Sequence, residues 1–188
     1  KVTAKHVPAT VSRSASLTWD DVADQDGIRP ASVKISVLMN GAVQASAVLS
    51  SADSWTATWN DLPQYSAGAE ALYTVRVDSA VSGYAFTIDQ ATLKIAARHV
   101  PSTVSKVVSV AWDDDSDRDK LRPAAVTVQL RADGSVVDSY KLSGTGTTWS
   151  HEFKGLPQYS GGREVAYTTS LASALSEYTL TTDQSALT

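Results

Sequence analysis

The chain contains no cysteine, which excludes disulfides, thiolate metal sites and cysteine nucleophiles together. Secreted β proteins of this size often carry disulfides. Their absence points to a cytosolic protein, or to an exported one that secures its domains by other means. No apolar run approaches membrane-spanning length. No signal-peptide or sorting-tail pattern stands in these residues, and either would belong to chain outside them. Positive charge is not in surplus: 16 Lys and Arg against 20 Asp and Glu leave a net charge of −4. That argues against nucleic acid as a partner. Charged residues make up only 19% against 43% hydrophobic, the balance of a folded globular protein and not of a disordered one. The 188 residues exceed one small β module and suit two of roughly 90, each with a thin core of its own.

What is present is a repeat. His6-Val7-Pro8-Ala9-Thr10-Val11-Ser12 recurs as His99-Val100-Pro101-Ser102-Thr103-Val104-Ser105, Trp19-Asp20-Asp21 as Trp112-Asp113-Asp114, and Arg29-Pro30 as Arg122-Pro123. After one inserted residue before Trp149 the register shifts by one. Leu62-Pro63-Gln64-Tyr65-Ser66 then matches Leu156 to Ser160, Tyr73-Thr74 matches Tyr167-Thr168, and Asp89-Gln90 matches Asp183-Gln184. One insertion over the whole length indicates duplication of an entire domain. Lys1 to His6 also align with Lys94 to His99. The expected organisation is therefore the tail of a preceding copy at 1–6, a first sandwich at 7–98 and a second at 99–188.

Inside each copy the period is two. Val33, Ile35, Val37 and Met39 alternate with Lys34, Ser36, Leu38 and Asn40, and Val126, Val128, Leu130 and Ala132 alternate likewise, as half-buried strands do. Asn40-Gly41 and Asp133-Gly134 follow directly and supply the positive φ of a tight hairpin. Tyr73, Val75 and Val77 form another one-face set, as do Tyr84, Phe86 and Ile88. No helical stretch stands out. The fold class is all-β: two tandem β-sandwiches.

Several residue sets could carry chemistry. The acidic loops hold Asp20, Asp24 and Asp26 in the first copy and Asp113, Asp115, Asp117 and Asp119 in the second. Hard cations such as calcium want several carboxylates on one compact loop. Yet Val22 interrupts the first pattern, Lys120 replaces the glycine of the second, and neither loop closes on a glutamate. A solvated loop with Asx turns explains these residues better, and no cofactor is expected. The three histidines never cluster, and no G-x-S-x-G surrounds a serine, so no enzyme is expected. Trp55 and Trp59, matched by Trp149 and Phe153, stand at i and i+4, which in a strand places both rings on one face. They read as a sugar-binding platform or, as aromatics more often do, as core. Trp19 and Trp112 read as core.

The order of W-D-D, an acidic loop ending D-G-x-R-P, an alternating strand with its N-G or D-G turn, W-x-x-x-W/F, L-P-x-Y, Y-T-V and G-Y-x-x-x-I-D resembles the Cna B-type repeat of Gram-positive surface adhesins and pilins. The first copy carries every piece; the second varies several, with Leu121-Arg122-Pro123 and Glu177-Tyr178. The resemblance implies a transthyretin-like or immunoglobulin-like sandwich, stacked between a cell-wall anchor and a distal binding tip. Many members form a Lys–Asn isopeptide bond promoted by a buried acid. The positions implied for lysine, acid and asparagine hold Leu17, Val77 and Ile95 here, and Val110 and Leu171 in the second copy, whose third position lies beyond Thr188. All are apolar, which is coherent because one buried charge without its partner is costly. Asparagine occurs only at Asn40 and Asn60, so the second copy has none to offer. A Thr–Gln ester, as in related stalk domains, would need Thr10 or Thr103 with Gln90 or Gln184.

The function implied is a structural stalk or spacer without the isopeptide bond; the alternative is a module that binds host protein or glycan. The partners expected are neighbouring repeats of the same chain and possible host ligands, with no nucleic acid and no membrane insertion of these residues. The place expected is extracellular, wall-attached or secreted. The alignment further predicts that residues 1–6 of one molecule approach residues 183–188 of the next, completing an unfinished edge head to tail.

Overall fold

The computed structural model describes residues 1–184. The chain folds as two compact units, one of Lys1–Asp24 with Ile28–Val100, the other of Gln25–Gly27 with the chain from Pro101 onward. Lys1 to Ala9 form no strand and are exposed.

In the first unit the strands are β1 (Thr10–Asp20), β2 (Ser32–Met39), β3 (Ala42–Ser50), β4 (Thr56–Pro63), the short pair β5 (Tyr65–Ser66) and β6 (Ala69–Glu70), then β7 (Tyr73–Val77), β8 (Ala85–Asp89) and β9 (Lys94–Arg98). One sheet runs β4-β1-β9-β8 and the other β3-β2-β7. Alternation decides which side chains enter the space between them: Ala15 and Leu17 from β1, Val33, Ile35 and Val37 from β2, Tyr73 and Val75 from β7, Ile95 and Ala97 from β9. Each of the larger aliphatics contributes about 1.5–3 kcal/mol by leaving water. Tyr84, Phe86 and Ile88 are half-buried and pack against that core as one set.

The β2–β3 hairpin turns on Asn40 and Gly41, at φ 49° and 85°, the two left-handed residues that the right-handed twist of a two-residue loop requires. Asn40 does a second job. Its N–H donates to the Leu72 carbonyl at 2.9 Å, and its Oδ1 accepts the Leu72 N–H at 3.0 Å. Asp133 and Ala166 repeat both bonds at 3.0 Å in the second unit.

One expectation fails on β2. Ser36 and Leu38, assigned to the solvent side, are buried. The strand is central, so neighbours on both sides cover its outer face. Ser36 Oγ reaches Ser46 Oγ at 2.8 Å on one side and donates to Asp78 Oδ2 on the other, and Arg76 holds Asp78 at 2.9 Å.

The second unit repeats the plan with β10 (Thr103–Ala111), β11 (Val126–Ala132), β12 (Ser135–Leu142), β13 (Thr148–Pro157), β14 (Tyr159–Ser160), β15 (Arg163–Glu164) and β16 (Tyr167–Leu171). Its sheets are β10-β13 and β12-β11-β16, around Val108, Trp112, Val128, Leu130, Leu142, Trp149 and Phe153. The counterpart of β8, at 179–183, is not a strand. The counterpart of β9 would start at 188, so the predicted head-to-tail edge falls outside the described residues. Among those residues, no helix is long and apolar enough to cross a membrane.

Candidate functional site

The inward alternation of β1 continues one residue past the strand. Trp19 points in, Asp20 out, and Asp21 in again, where it is 2% exposed. A carboxylate there needs a partner, and Arg29 supplies it as a fork: Nε donates to Oδ2 at 2.9 Å and Nη2 to Oδ1. The Tyr84 hydroxyl donates to Oδ2 at 2.8 Å and the Asp24 N–H to Oδ1 at 3.1 Å, while Asp24 Oδ1 accepts the Arg29 N–H at 2.9 Å. The guanidinium lies 5.3 Å over the Trp19 ring, and Trp19 meets Trp55 and Tyr84 edge-on, each at 4.9 Å.

The second unit rebuilds the cluster. Arg122 forks onto Asp114, Tyr178 donates to Asp114 Oδ2 at 3.0 Å, and Asp117 takes the place of Asp24. Arg122 covers Trp112 at 5.5 Å, and Trp112 meets Trp149 at 4.9 Å and Tyr178 at 5.2 Å. Sequence reasoning found W-D-D, R-P and G-Y as separate pieces and missed that they converge. The available signal was the equal spacing of Asp21 to Arg29 and Asp114 to Arg122, together with the parity of β1.

The arrangement is electrostatically quiet. The Arg29 fork holds the Asp21 carboxyl down at about 2 against the opposing effect of burial. Arg122 does the same for Asp114, also at about 2. Burial, reinforced by the ionised Asp21 that it donates to, pushes the Tyr84 hydroxyl above the usual phenol range. Carboxylate, guanidinium and neutral phenol thus keep their charge states across ordinary pH. The cluster is a brace, with no proton poised to move.

The acidic loops serve that brace. Val22, Ala23 and Asp24 are left-handed in succession (φ 52°, 56°, 62°), as are Asp115, Ser116 and Asp117 (φ 52°, 62°, 61°). Such residues cost about 1–2 kcal/mol each, which the Asp–Arg network offsets. Asp20 sits on the surface 3.6 Å from Arg98. Asp26 Oδ2 accepts the Ser102 N–H at 2.9 Å within the second unit. Asp115 pairs with Arg118 at 2.9 Å, Asp119 lies 3.8 Å from the same arginine, and Asp113 is exposed. Asp24 and Asp117 spend a carboxylate oxygen on backbone. Among the described residues, no three of His, Asp and Glu are gathered as a metal would require.

The aromatic set is placed inside. Trp59, Trp149 and Phe153 are buried in the two cores, and Trp55 is half-buried against the first. Trp55 precedes β4 at a left-handed φ of 55° and so owes its place to the turn and not to strand parity, yet all four rings pack against a core. His99 Nδ1 pairs with the Gly83 carbonyl at 2.8 Å, and His151 stacks on Tyr140 at 3.5 Å.

The implied isopeptide positions come together. β1 and β9 run parallel with Leu17 opposite Ile95, both buried, and Val77 packs against the same core from the other sheet. Val110 and Leu171 pack against the second core. The positions that the resemblance implies for a lysine, an asparagine and an acid hold aliphatic side chains. The glutamines weighed for an ester are engaged elsewhere. Gln90 Oε1 accepts the Val75 N–H at 2.8 Å and its Nε2 donates to the Val75 carbonyl at 2.9 Å. Gln184 repeats this with Thr169 at 2.9 and 2.8 Å. The Gln90 amide extends from the end of β8 to the backbone of the opposite sheet, imitating a further strand, and Gln184 makes the same bonds to β16.

Comparison with known proteins agrees with this geometry. The model of the Cna protein B-type domain matches residues 14–97 and again 105–188. A collagen adhesin of Staphylococcus aureus is 34% identical over 171 residues, covering 89% of this chain and 14% of that protein. The crystal structure of two B repeat units of the collagen binding protein of Staphylococcus aureus superposes with a TM-score of 0.81 at 31% identity, over 88% of this chain and 45% of that one. The chain thus spans about one-seventh of the adhesin's length.

The brace makes a pH prediction. Because Asp21 is held at about 2, below the usual 3.8, its contribution is complete above about pH 4 and fades as pH falls through about 2. In denaturant titrations, the stability difference between the parent and Asp21→Asn should shrink by roughly 2 kcal/mol over that window. A difference that does not change with pH would show that Asp21 is not the charged half of this pair.

Proposed function

Because the chain belongs to the Cna protein B-type domain family through both of its repeats, we propose that it serves as two spacer repeats of a surface adhesin or pilin-like protein. On this reading it lies outside the cell, attached through chain beyond these residues, and sets the distance between the anchor and a distal binding tip. The observation that carries it is the internal use of most of the groups weighed for chemistry, exposed loop carboxylates such as Asp20 and Asp113 excepted. Carboxylates hold arginines, glutamine amides hold backbone, and the tryptophans fill cores. The alternative, a module binding host protein or glycan, would use exposed apolar side chains such as Tyr140, which stacks on His151.

We also infer that neither repeat closes the family's Lys–Asn bond, since Leu17, Val77, Ile95, Val110 and Leu171 carry no reactive group. Aliphatics side by side at Leu17 and Ile95 stabilise the join by burial, without the cost of desolvating charges.

Deleting both repeats from the parent protein should leave its solution affinity for its ligand unchanged, while capture of that ligand across a surface-grafted polymer layer falls. Lost solution affinity would identify the repeats as a binding module. Intact mass should equal the plain sum of residues, and Leu17→Lys alone should cost the first repeat about 3–5 kcal/mol, as an unpaired buried charge does. A mass short by one ammonia, or a neutral lysine, contradicts the inference.

A further inference from the structure

We propose that the parallel β1–β9 pair is a shear clamp, which makes the first repeat a force-bearing unit that lengthens reversibly under tension. The proposal rests on the spacer reading for its biological use, and on strand geometry alone for its physics.

Chain enters the first repeat at Thr10 and leaves after Arg98. Those ends belong to neighbouring strands that run the same way, paired Ser16 to Lys94, Leu17 to Ile95, Thr18 to Ala96, Trp19 to Ala97 and Asp20 to Arg98. Tension pulls β1 by its beginning and β9 by its end, in opposite directions along one shared line. Five residue pairs are therefore loaded together, whereas strands pulled apart from one end lose one pair at a time.

Three features strengthen the clamp. Ala15, Leu17, Ile95 and Ala97 are all buried, so the backbone bonds between them lie where water cannot readily replace them. The far end is closed by the His99 N–H on the Asp20 carbonyl at 2.9 Å, with the Asp21–Arg29–Tyr84 brace beside it. The entering half of β1 is paired along β4, from Thr10 opposite Pro63 to Ser16 opposite Thr56, which passes load into the sheet.

On the reading that neither repeat closes the Lys–Asn bond, no covalent tie limits what happens next. With Leu17 and Ile95 facing each other, rupture of the clamp frees the chain between the two strands. At about 3.3–3.6 Å per extended residue the gain is roughly 300 Å. Forced unfolding is governed by the unfolding barrier and not by equilibrium stability, so a clamp can hold at working tension in a domain of ordinary stability. When tension drops, the same sequence refolds.

The absence of cysteine gives a clean test. Thr10→Cys with Arg98→Cys sets handles that load the pair in shear. Asp20→Cys with Arg98→Cys loads the same pair from one end. Thr10 is exposed and the Asp20 and Arg98 side chains are 75% and 72% exposed, so neither variant disturbs the core. At equal loading rates in optical tweezers or a force microscope, the shear geometry should rupture at a force at least twofold higher. The shear variant should gain roughly 300 Å and recover it on relaxation over repeated cycles. Equal forces in the two geometries would overturn the clamp. A repeat that does not lengthen before the handles detach would overturn the extensible unit. The force ratio is a property of one domain, so it stands or falls separately from the deletion experiment that tests the spacer reading.

Discussion

Leu17 on the first strand and Ile95 on the last lie side by side in parallel register, and the first sandwich closes through them. Parallel pairing sends the two ends of the domain out at opposite ends of the same strand pair. It also makes the join between first and last strands the place where the repeat is won or lost. In this chain the join is apolar: Leu17, Ile95 and Ala97 share one dry layer with Ile35 and Val75 of the facing sheet.

Around that layer the two sheets are tied by polar contacts that recur in both copies. The Asp–Arg–Tyr brace fastens the end of the first strand to the approach to β2 as well as to that of β8, and the glutamine amide fastens the chain after β8 to β7. A buried ion pair is weak support by itself, because desolvation cancels much of its attraction. Here the carboxylate has a fork, a phenol and a backbone amide, and the guanidinium lies over a tryptophan ring, so the desolvated charge is fully satisfied. The glutamine costs less, since its amide is neutral and replaces the very partners a strand would offer. These ties organise loops as well: the left-handed turns at Val22 to Asp24 and Asp115 to Asp117 exist because an arginine waits at their close.

Much of this was legible in the sequence. The duplication, the strands of period two, the Asn40-Gly41 and Asp133-Gly134 turns and the apolar character of Leu17, Val77 and Ile95 all follow from local pattern. What could not be read was which face a residue meets once neighbours are added. Ser36 looked solvent-facing because its strand alternates, yet two flanking strands bury it. Trp55 with Trp59, and Trp149 with Phe153, were read as one-face pairs, but periodicity does not say whether a face is core or surface. Asp21 escaped notice because two adjacent aspartates look alike, and only the parity of β1 carried past its end distinguishes the buried Asp21 from the exposed Asp20. Gln90 and Gln184 drew attention as reactants and turned out to hold backbone, a role no spacing rule announces.

The central claim is that apolar contact across the first and last strands closes the repeat. A double-mutant cycle tests it most directly. Leu17→Ala and Ile95→Ala should each cost about 2–5 kcal/mol. The double variant should depart from their sum by about 0.5–3 kcal/mol, the coupling of residues in contact. Additivity within the error of the titrations would contradict the account, because it would mean that the two strands are joined by something other than this pair.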